Sequence, residues 1–506
     1  MKMRITTVLF VWMALVSFQD TESKTNIAHE DGWESQERQI QVLGKEKTIR
    51  ILYKPDAKKR SFAKEMLDRA CAYIPRVAEY LNSAPSADTL TIKDIIDGSI
   101  ARNEGSIIYV PLAYPDPELL TPPPLLYHEI GHWWFGQEPR WIGEGVSSFL
   151  PIALQASGYL QWDEFEMHKI KSWWGFFNPL SKRDFPLGDS NSKDETINSD
   201  FQIYYEKTFK IQYYIFTYLG KEKYRDFLIS LTDPDHKTWN EYFIAPSKTL
   251  WEQKSKGVLS LLDSQKKINW EKQLSGWILT KGYSKERASL LSDADGDSLT
   301  DFEEEVFGTD LSQWDTDADG IGDALERVLG TDPKQSNVRS ELKSQLKKKG
   351  IQLDGMDDDW DLLEIPEIKN PSLEIGKQRM ALQSFRYLIK DQVLYGVIRA
   401  KQPFYEVFQS QKDLYFYLMD VSASKERSGL GFKLHMNDAY GWEHERTKGE
   451  KRYFWGKVGH VFEFKIDLSS HPDSDLKLIP LLNGSKGPSF GQWDYASPIT
   501  IPIPLW

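Results

Sequence analysis

Two histidines four residues apart, His128 and His132 in YHEIGHWWFGQEPRWIGEG, constrain this chain more than any other feature. On a helix of about 3.6 residues per turn, positions i and i+4 stand one above the other, so both imidazoles can reach one metal ion. Glu129 is then rotated about 100° away, where a carboxylate can meet a water beside that ion. Thr121 suits an N-cap and Pro122 a first helical position, which predicts a helix from there to about Gly136. A catalytic metal of this kind needs a third protein ligand, and Glu144, twelve residues after His132, is the candidate.

HEIGH followed by PRWIGEGVSSF resembles the gluzincin metallopeptidases, the peptidase-MA-like group in particular, whose pattern is HExxH, a loop, and a helix starting near W-x-x-E-G. The segment Tyr205-Glu206-Lys207, leading into a helix that ends near Leu219-Gly220, is similar to the Tyr-Glu-Lys segment of the zinc aminopeptidases. The resemblance implies an α+β thermolysin-like domain, with a small sheet and a mainly helical part. It implies zinc bound by His128, His132 and Glu144, Glu129 as general base, and Tyr205 as donor to the tetrahedral intermediate. The implied activity is hydrolysis of a peptide or protein substrate. Two departures mark the chain: the return from His132 to Glu144 is a short eleven residues, and the Gly-x-Met-Glu-Asn motif that grips a substrate's amino terminus is absent from EGSIIYVP. That strand is expected to bind an extended substrate by edge pairing.

The formal net charge is −12, and the stretch from Asp293 to Lys334 holds ten Asp and four Glu against Arg327 and Lys334, which accounts for all of it. The remainder is neutral in sum, which gives no basis for a nucleic-acid partner. In DADGDSLTDFEE, Asp293, Asp295, Asp297, Asp301 and Glu304 occupy positions 1, 3, 5, 9 and 12 of an EF-hand-like loop. DTDADGIGDALE repeats the spacing 22 residues on with Asp315, Asp317, Asp319, Asp323 and Glu326, and Ser298 stands where the second copy has Gly320. Each copy runs on to Gly-Thr-Asp and resembles the calcium-binding repeats of thrombospondin type 3, which implies Ca²⁺ held in a structural role.

At 506 residues the chain exceeds one compact core, and about 100–200 residues per domain predicts roughly three. Lys2 and Arg4 ahead of an apolar run from Ile5 to Phe18 read as a secretory signal, which places the protein outside the cytoplasm, secreted or in a bacterial envelope. No later segment is apolar enough to span a bilayer. Cys71 is the only cysteine, which excludes an intramolecular disulfide and a Cys-based zinc site. His29, His168, His236, His435, His444, His460 and His471 show no ligand spacing.

The expected division is a signal over residues 1–20, a zinc peptidase domain over 21–288, calcium-binding repeats over 289–336, a solvated linker over 337–350 and a β-sandwich over 351–506. In VFEFKIDLS, Phe462, Phe464, Ile466 and Leu468 fall on one face and Glu463, Lys465 and Asp467 on the other, the pattern of a half-buried strand. RYLIKDQVLYGVI reads as a hairpin turning at Lys390, Asp391 and Gln392. The opening IQLDGMDDDWDLL resembles the start of family 9 carbohydrate-binding modules, which implies a glycan partner met by Trp442, Tyr453 and Trp455. Packing is the commoner role of such aromatics, as it is of Trp173, Trp174, Phe176 and Phe177 in SWWGFF, whose other reading is a substrate cleft. The sequence leaves open a second function: a calcium-dependent surface or glycan-binding protein with an inactive peptidase domain.

Overall fold

The computed structural model of the chain describes residues 29–30, 32–95, 101–112, 123–136, 140–174, 201–232, 293–369, 374–375, 380–400, 413–420, 429–435, 438–443, 453–456, 459–469, 476–483, 494–495 and 499–501. The expected signal, Thr121, Pro122, Phe176 and Phe177 lie outside them. The chain forms two units, residues 1–75 with 86–121, and 76–85 with 122–506.

In the first unit, β1 (His29–Glu30), β2 (Trp33–Val42), β3 (Lys45–Tyr53), β4 (Thr89–Asp94), β5 (Arg102–Glu104) and β6 (Ile107–Val110) form one sheet in the order β1-β2-β3-β4-β6-β5. β3, β4 and β6 run parallel, and α1 (Ala57–Leu81) connects β3 to β4. Alternation in β3 buries Ile49, Ile51 and Tyr53, and the side of α1 that carries Ala63, Met66, Leu67 and Ala70 is buried as well. The edge-pairing expectation for EGSIIYVP is overturned. Gly105, at φ 68°, turns the chain so that β5 pairs along β6, Arg102 opposite Tyr109 and Glu104 opposite Ile107, leaving β6 inside the sheet. Cys71 on α1 is half-buried, and burial pushes its thiol up to about 11.

The second unit opens with four described helices beyond the end of α1: α2 (Pro123–Phe135), α3 (Arg140–Ala156), α4 (Glu164–Trp173) and α5 (Phe201–Thr232). α5 is two helical segments meeting at a kink at Gly220, where φ is 73° and ψ 164°, so the first segment ends near Leu219-Gly220 as expected and a second runs on to Thr232. Beyond the kink Tyr224 packs on Phe149 of α3, ring centroids 5.8 Å apart, and on Phe216 at 5.3 Å. No described helix is long and apolar enough to cross a membrane.

The two acidic copies each lead into a short helix, α6 (Asp301–Phe307) and α7 (Asp323–Leu329), capped at its end by Gly308 and Gly330 in the left-handed region. Thr300 and Glu303 close a capping box on α6. Tyr213 and Tyr214 of α5 face Glu303, and burial together with that carboxylate pushes both phenols well above the usual tyrosine range. The linker helix expected there is present as α8 (Arg339–Lys349), but it is not a solvated spacer. Leu342 and Leu346, one turn apart, enter a core with Ile321, Leu325, Leu329 and Leu362, the last from α9 (Asp358–Leu362). Lys347 and Lys348 are exposed, but Lys349, a turn beyond Leu346, donates to the carbonyls of Val328 and Leu329, so the charge that suggested a solvated helix describes only part of it.

From residue 368 onward the described strands form two six-stranded sheets. The first contains Met380–Lys390, Val393–Ala400 and Val461–Asp467, and its hairpin turns at Asp391 and Gln392, both with positive φ, as a two-residue type I′ turn requires. The second is built around Asp413–Asp420 between Gly429–His435 and Leu476–Asn483. The side chains of Trp442, Tyr453 and Trp455 lie outside the described residues. Glu463 departs from the expected polar face: it is fully buried, accepting from the indole N–H of Trp360 at 3.0 Å and the backbone N–H of Gly355 at 2.8 Å. Burial and the nearby Asp354 and Asp359 push its carboxyl well above the ordinary glutamate range.

His168 on α4 gives these contacts a pH signature. Burial, with Lys171 and Lys465 adding, lowers it from 6.5 to about 3, so between those values the unfolded chain binds a proton that the folded chain refuses. Stability therefore falls as the pH drops below 6.5, by about 2 kcal/mol at pH 5 at ~1.4 kcal/mol per unit. Urea unfolding of His168→Gln should show a pH 7 to pH 5 loss smaller than that of the wild type by this amount.

Candidate active site

The motif residues all sit on α2 and α3, and two glycines let these helices and α5 approach closely. A Cβ on Gly131 would lie 2.8 Å from Cβ of Ser147, and one on Gly145 would lie 2.7 Å from the carbonyl oxygen of Thr208. At neither place is there room for alanine without a shift. Leu126 and Ile130 on α2 and Trp141, Val146, Phe149 and Leu150 on α3 are buried in the same interior.

This packing brings three ligand atoms together. Oε2 of Glu144 lies 3.0 Å from Nε2 of His128 and 3.4 Å from Nε2 of His132, and the two Nε2 atoms are 3.1 Å apart. Tetrahedral zinc with bonds of about 2.0–2.1 Å places its ligand atoms about 3.3–3.4 Å from one another, so the observed triangle fits such an ion. All three side chains are buried, and Glu144 Oε2 receives no hydrogen bond.

Partners on the far side of each ring orient the triangle. Ser148 donates its hydroxyl proton to the Glu144 carbonyl at 2.8 Å, so at 3.0 Å from His128 Nδ1 its oxygen accepts that ring's N–H. His132 donates Nδ1–H to the Gly136 carbonyl at 2.6 Å, with Ser147 Oγ at 3.4 Å. Both rings are thereby held in the tautomer whose Nε2 lone pair faces Glu144. Gly136, at φ 59°, turns the chain at the end of α2 so that its carbonyl meets His132.

The electrostatics ask for positive charge at the centre of this triangle. Burial lowers His128, against the pull of Glu144. Burial acts the same way on His132, but Glu144 and Glu129 outweigh it and push that ring up to about 9. For Glu144, burial opposes ionisation, yet His132 and His128 hold its carboxyl well below the usual range. A divalent ion supplies the charge that His132 would otherwise carry as a proton. Glu129 is buried beside them with Oε2 unpartnered, and burial and Glu144, against His132, push its carboxyl up to about 8. A carboxyl poised near neutral pH suits proton transfer.

Tyr205 lies within α5, near its start, rather than ahead of the helix, and its ring centroid is 5.8 Å from that of His128. Of the SWWGFF aromatics, Trp173 is 44% exposed, whereas Trp174 is buried with its ring 4.7 Å from His128 and stacked 5.7 Å from Tyr205. The sequence does not single out Ser147 and Ser148 as site residues, and it offers Trp174 only as one of several aromatics that pack or line a cleft. Ser148 had a legible signal, since it stands four residues after Glu144 on the same helix, as His132 stands after His128.

The acidic repeats form three further groups of converging carboxylates: Asp293 with Asp295 and Asp297; Asp297 with Glu304 and Asp323; and Asp315 with Asp317 and Asp319. Both oxygens of Glu304 and Oδ2 of Asp297 are buried without a hydrogen-bond donor. Asp301 and Asp323, the ninth positions, brace their loops, accepting from the backbone N–H of Ala294 and Thr316 at 2.9 Å each. Glu326 has one oxygen bonded by the Asn337 amide and Oε2 buried without a partner.

No protein-family model and no curated protein sequence matches the chain. Among solved structures, an M1 zinc metallopeptidase from Deinococcus radiodurans is similar at 14% identity and a TM-score of 0.33, over 50% of this chain and 53% of that one. A point mutant of it bound to a Tyr-Ser-Ala substrate gives 15% identity and a TM-score of 0.33 over the same shares. The chain thus spans about half the length of these structures. The likeness is slight, and the functional reading rests on the site itself.

Elemental analysis should find one zinc per chain, lost in His132→Ala and in Glu144→Ala. Ser148→Ala, which removes only the orienting hydroxyl, should weaken zinc affinity about 10–100-fold in a chelator competition.

Proposed function

We propose that this protein is a zinc-dependent peptidase. The observation that carries the reading is the buried triangle of His128, His132 and Glu144, with ligand atoms 3.0 to 3.4 Å apart and Glu129 beside it. His128, His132 and Glu144 would hold the ion, which when bound supplies Lewis acidity to a water and to a substrate carbonyl. Glu129 takes the proton of the attacking water and returns it to the leaving amine, a cycle suited to a carboxyl whose burial favours its protonated form. The Tyr205 phenol, on a ring 5.8 Å from that of His128, donates to the oxygen that gains charge as the carbonyl becomes tetrahedral.

Zinc-loaded wild type should cleave members of a diverse peptide library. Glu129→Gln should lower kcat by about 10²–10⁴-fold while zinc content stays the same. Zinc binding by a wild type that cleaves no library member would reject the peptidase and leave the binding-protein reading.

The acidic repeats are read as calcium sites with a structural role. Oxygen-only groups such as Asp293, Asp295 and Asp297 suit a hard cation, and Oδ2 of Asp297 and both oxygens of Glu304 are buried with no donor to offset their charge. Export, read from the charged and apolar start of the chain, would expose them to extracellular calcium, which fills even weak sites. Calorimetric titration should show calcium binding that Asp293→Ala and Asp315→Ala each weaken, with a matching loss of calcium-dependent thermal stability. Absence of heat at millimolar calcium would refute this assignment.

A further inference from the structure

The metal-ligating His128 belongs to an aromatic triangle with Trp174 and Tyr205. The ring centroids of His128 and Trp174 are 4.7 Å apart with planes at 36°, those of Trp174 and Tyr205 are 5.7 Å apart at 27°, and those of His128 and Tyr205 are 5.8 Å apart at 63°. Trp174 is the member common to the metal-ligand side and the tyrosine side, and it is 5% exposed. Its indole N–H has no hydrogen-bond partner among the described residues, so packing and stacking alone place it.

Trp174 directly follows α4, whose first turn is held in three ways. Asp163 Oδ1 accepts from the backbone N–H of Glu166 at 2.8 Å, which fixes the first turn. Glu166 in turn accepts from the hydroxyl of Tyr127 at 3.1 Å, and Tyr127 immediately precedes His128 on α2. Glu164 is ion-paired with Lys465 of the strand Val461–Asp467. The indole is thus carried by a helix tied both to the motif helix and to the C-terminal sheet. Tyr205 needs such a neighbour. Its ring sits on a different helix from the ligands, and a donor to a developing oxyanion must be placed to within about half an ångström to be effective.

We propose that Trp174 is a positioning residue, which holds the Tyr205 ring against the metal site and acts on the reaction only through that tyrosine. The proposal rests on the peptidase reading of the site. It separates Trp174 from two other roles, supporting His128 and filling the interior, because neither of those depends on the Tyr205 hydroxyl.

A double-mutant cycle tests it, with Trp174→Ala, Trp174→Leu, Tyr205→Phe and the Trp174→Leu/Tyr205→Phe pair assayed on a peptide that the wild type cleaves. A misplacement of about 1 Å can cost on the order of 100-fold, so Trp174→Leu should lose about 10–100-fold in kcat with little change in KM. The same change in the Tyr205→Phe background should cost less than about threefold, since residues acting as a unit are not additive. Trp174→Phe, which keeps a stacking ring and drops only the unpaired N–H, should recover most of the loss.

The same cycle read as the affinity of leucine hydroxamate for the zinc-loaded protein, by calorimetry, needs no cleaved peptide. If the wild type cleaves nothing, the peptidase reading fails while the hydroxamate cycle still decides the role of Trp174. An equal loss from Trp174→Leu in both backgrounds, a loss of zinc content that tracks the loss of kcat, or a Tyr205→Phe variant indistinguishable from wild type in both assays would each overturn the proposal. Trp174→Leu stands beside Trp174→Ala because its larger side chain fills more of the volume, and near-UV circular dichroism checks that each variant is folded.

Discussion

The contact between Gly131 of α2 and Ser147 of α3 is the constraint on which the site depends. With no Cβ at residue 131, the two helices meet closely enough for a glutamate on one to share a point with two histidines on the other. On the next face Gly145 admits the backbone of α5 at Thr208, three residues beyond Tyr205. One short segment of α3 therefore holds a ligand, Glu144, the backing of both imidazoles through Ser147 and Ser148, and the seat for the tyrosine helix. The short return between His132 and Glu144 is compatible with a metal triangle because the helices touch rather than merely face each other.

How much of this was legible can be judged residue by residue. The i, i+4 histidines were readable because helical geometry dictates what such spacing can reach, Glu144 because a catalytic metal needs a third ligand and its W-x-x-E-G context resembles the gluzincins, and the three side chains do converge. The hairpin at Asp391 and Gln392 was readable for a similar local reason, two apolar runs around a turn. Relations that depend on a distant partner were not. Glu463 alternates as a surface residue should, yet it is buried because Trp360 and Gly355, about a hundred residues away, donate to it. Leu342 and Leu346 sit in a lysine-rich segment whose character as a spacer vanishes once Leu325, Leu329 and Leu362 are found against them. Trp174 could be read as packing or as cleft, and its ring is buried in contact with His128, which the sequence alone does not announce.

The strand β6 gives the opposite lesson. EGSIIYVP has the composition of a strand, and it is one, but composition does not say whether a strand lies at an edge. That is decided by the three residues Arg102–Glu104, too short and too polar to announce themselves, which fold back through Gly105 and pair along it.

The core formed by Ile321, Leu325, Leu329, Leu342, Leu346 and Leu362 bears on how the chain can be divided. Its residues come from the second acidic copy, from the helix after it and from the segment that opens the C-terminal region. Ser298 of the first copy also donates to the Gly355 carbonyl at 3.2 Å, and the Gly322 N–H to Asp358 Oδ2 at 2.9 Å. The boundaries drawn by composition at residues 336 and 350 thus fall inside a single hydrophobic interior. A cut at either would leave leucines of this core facing water on both fragments, so the second acidic copy and the segment that opens the C-terminal region pack as one piece rather than as beads joined by a string.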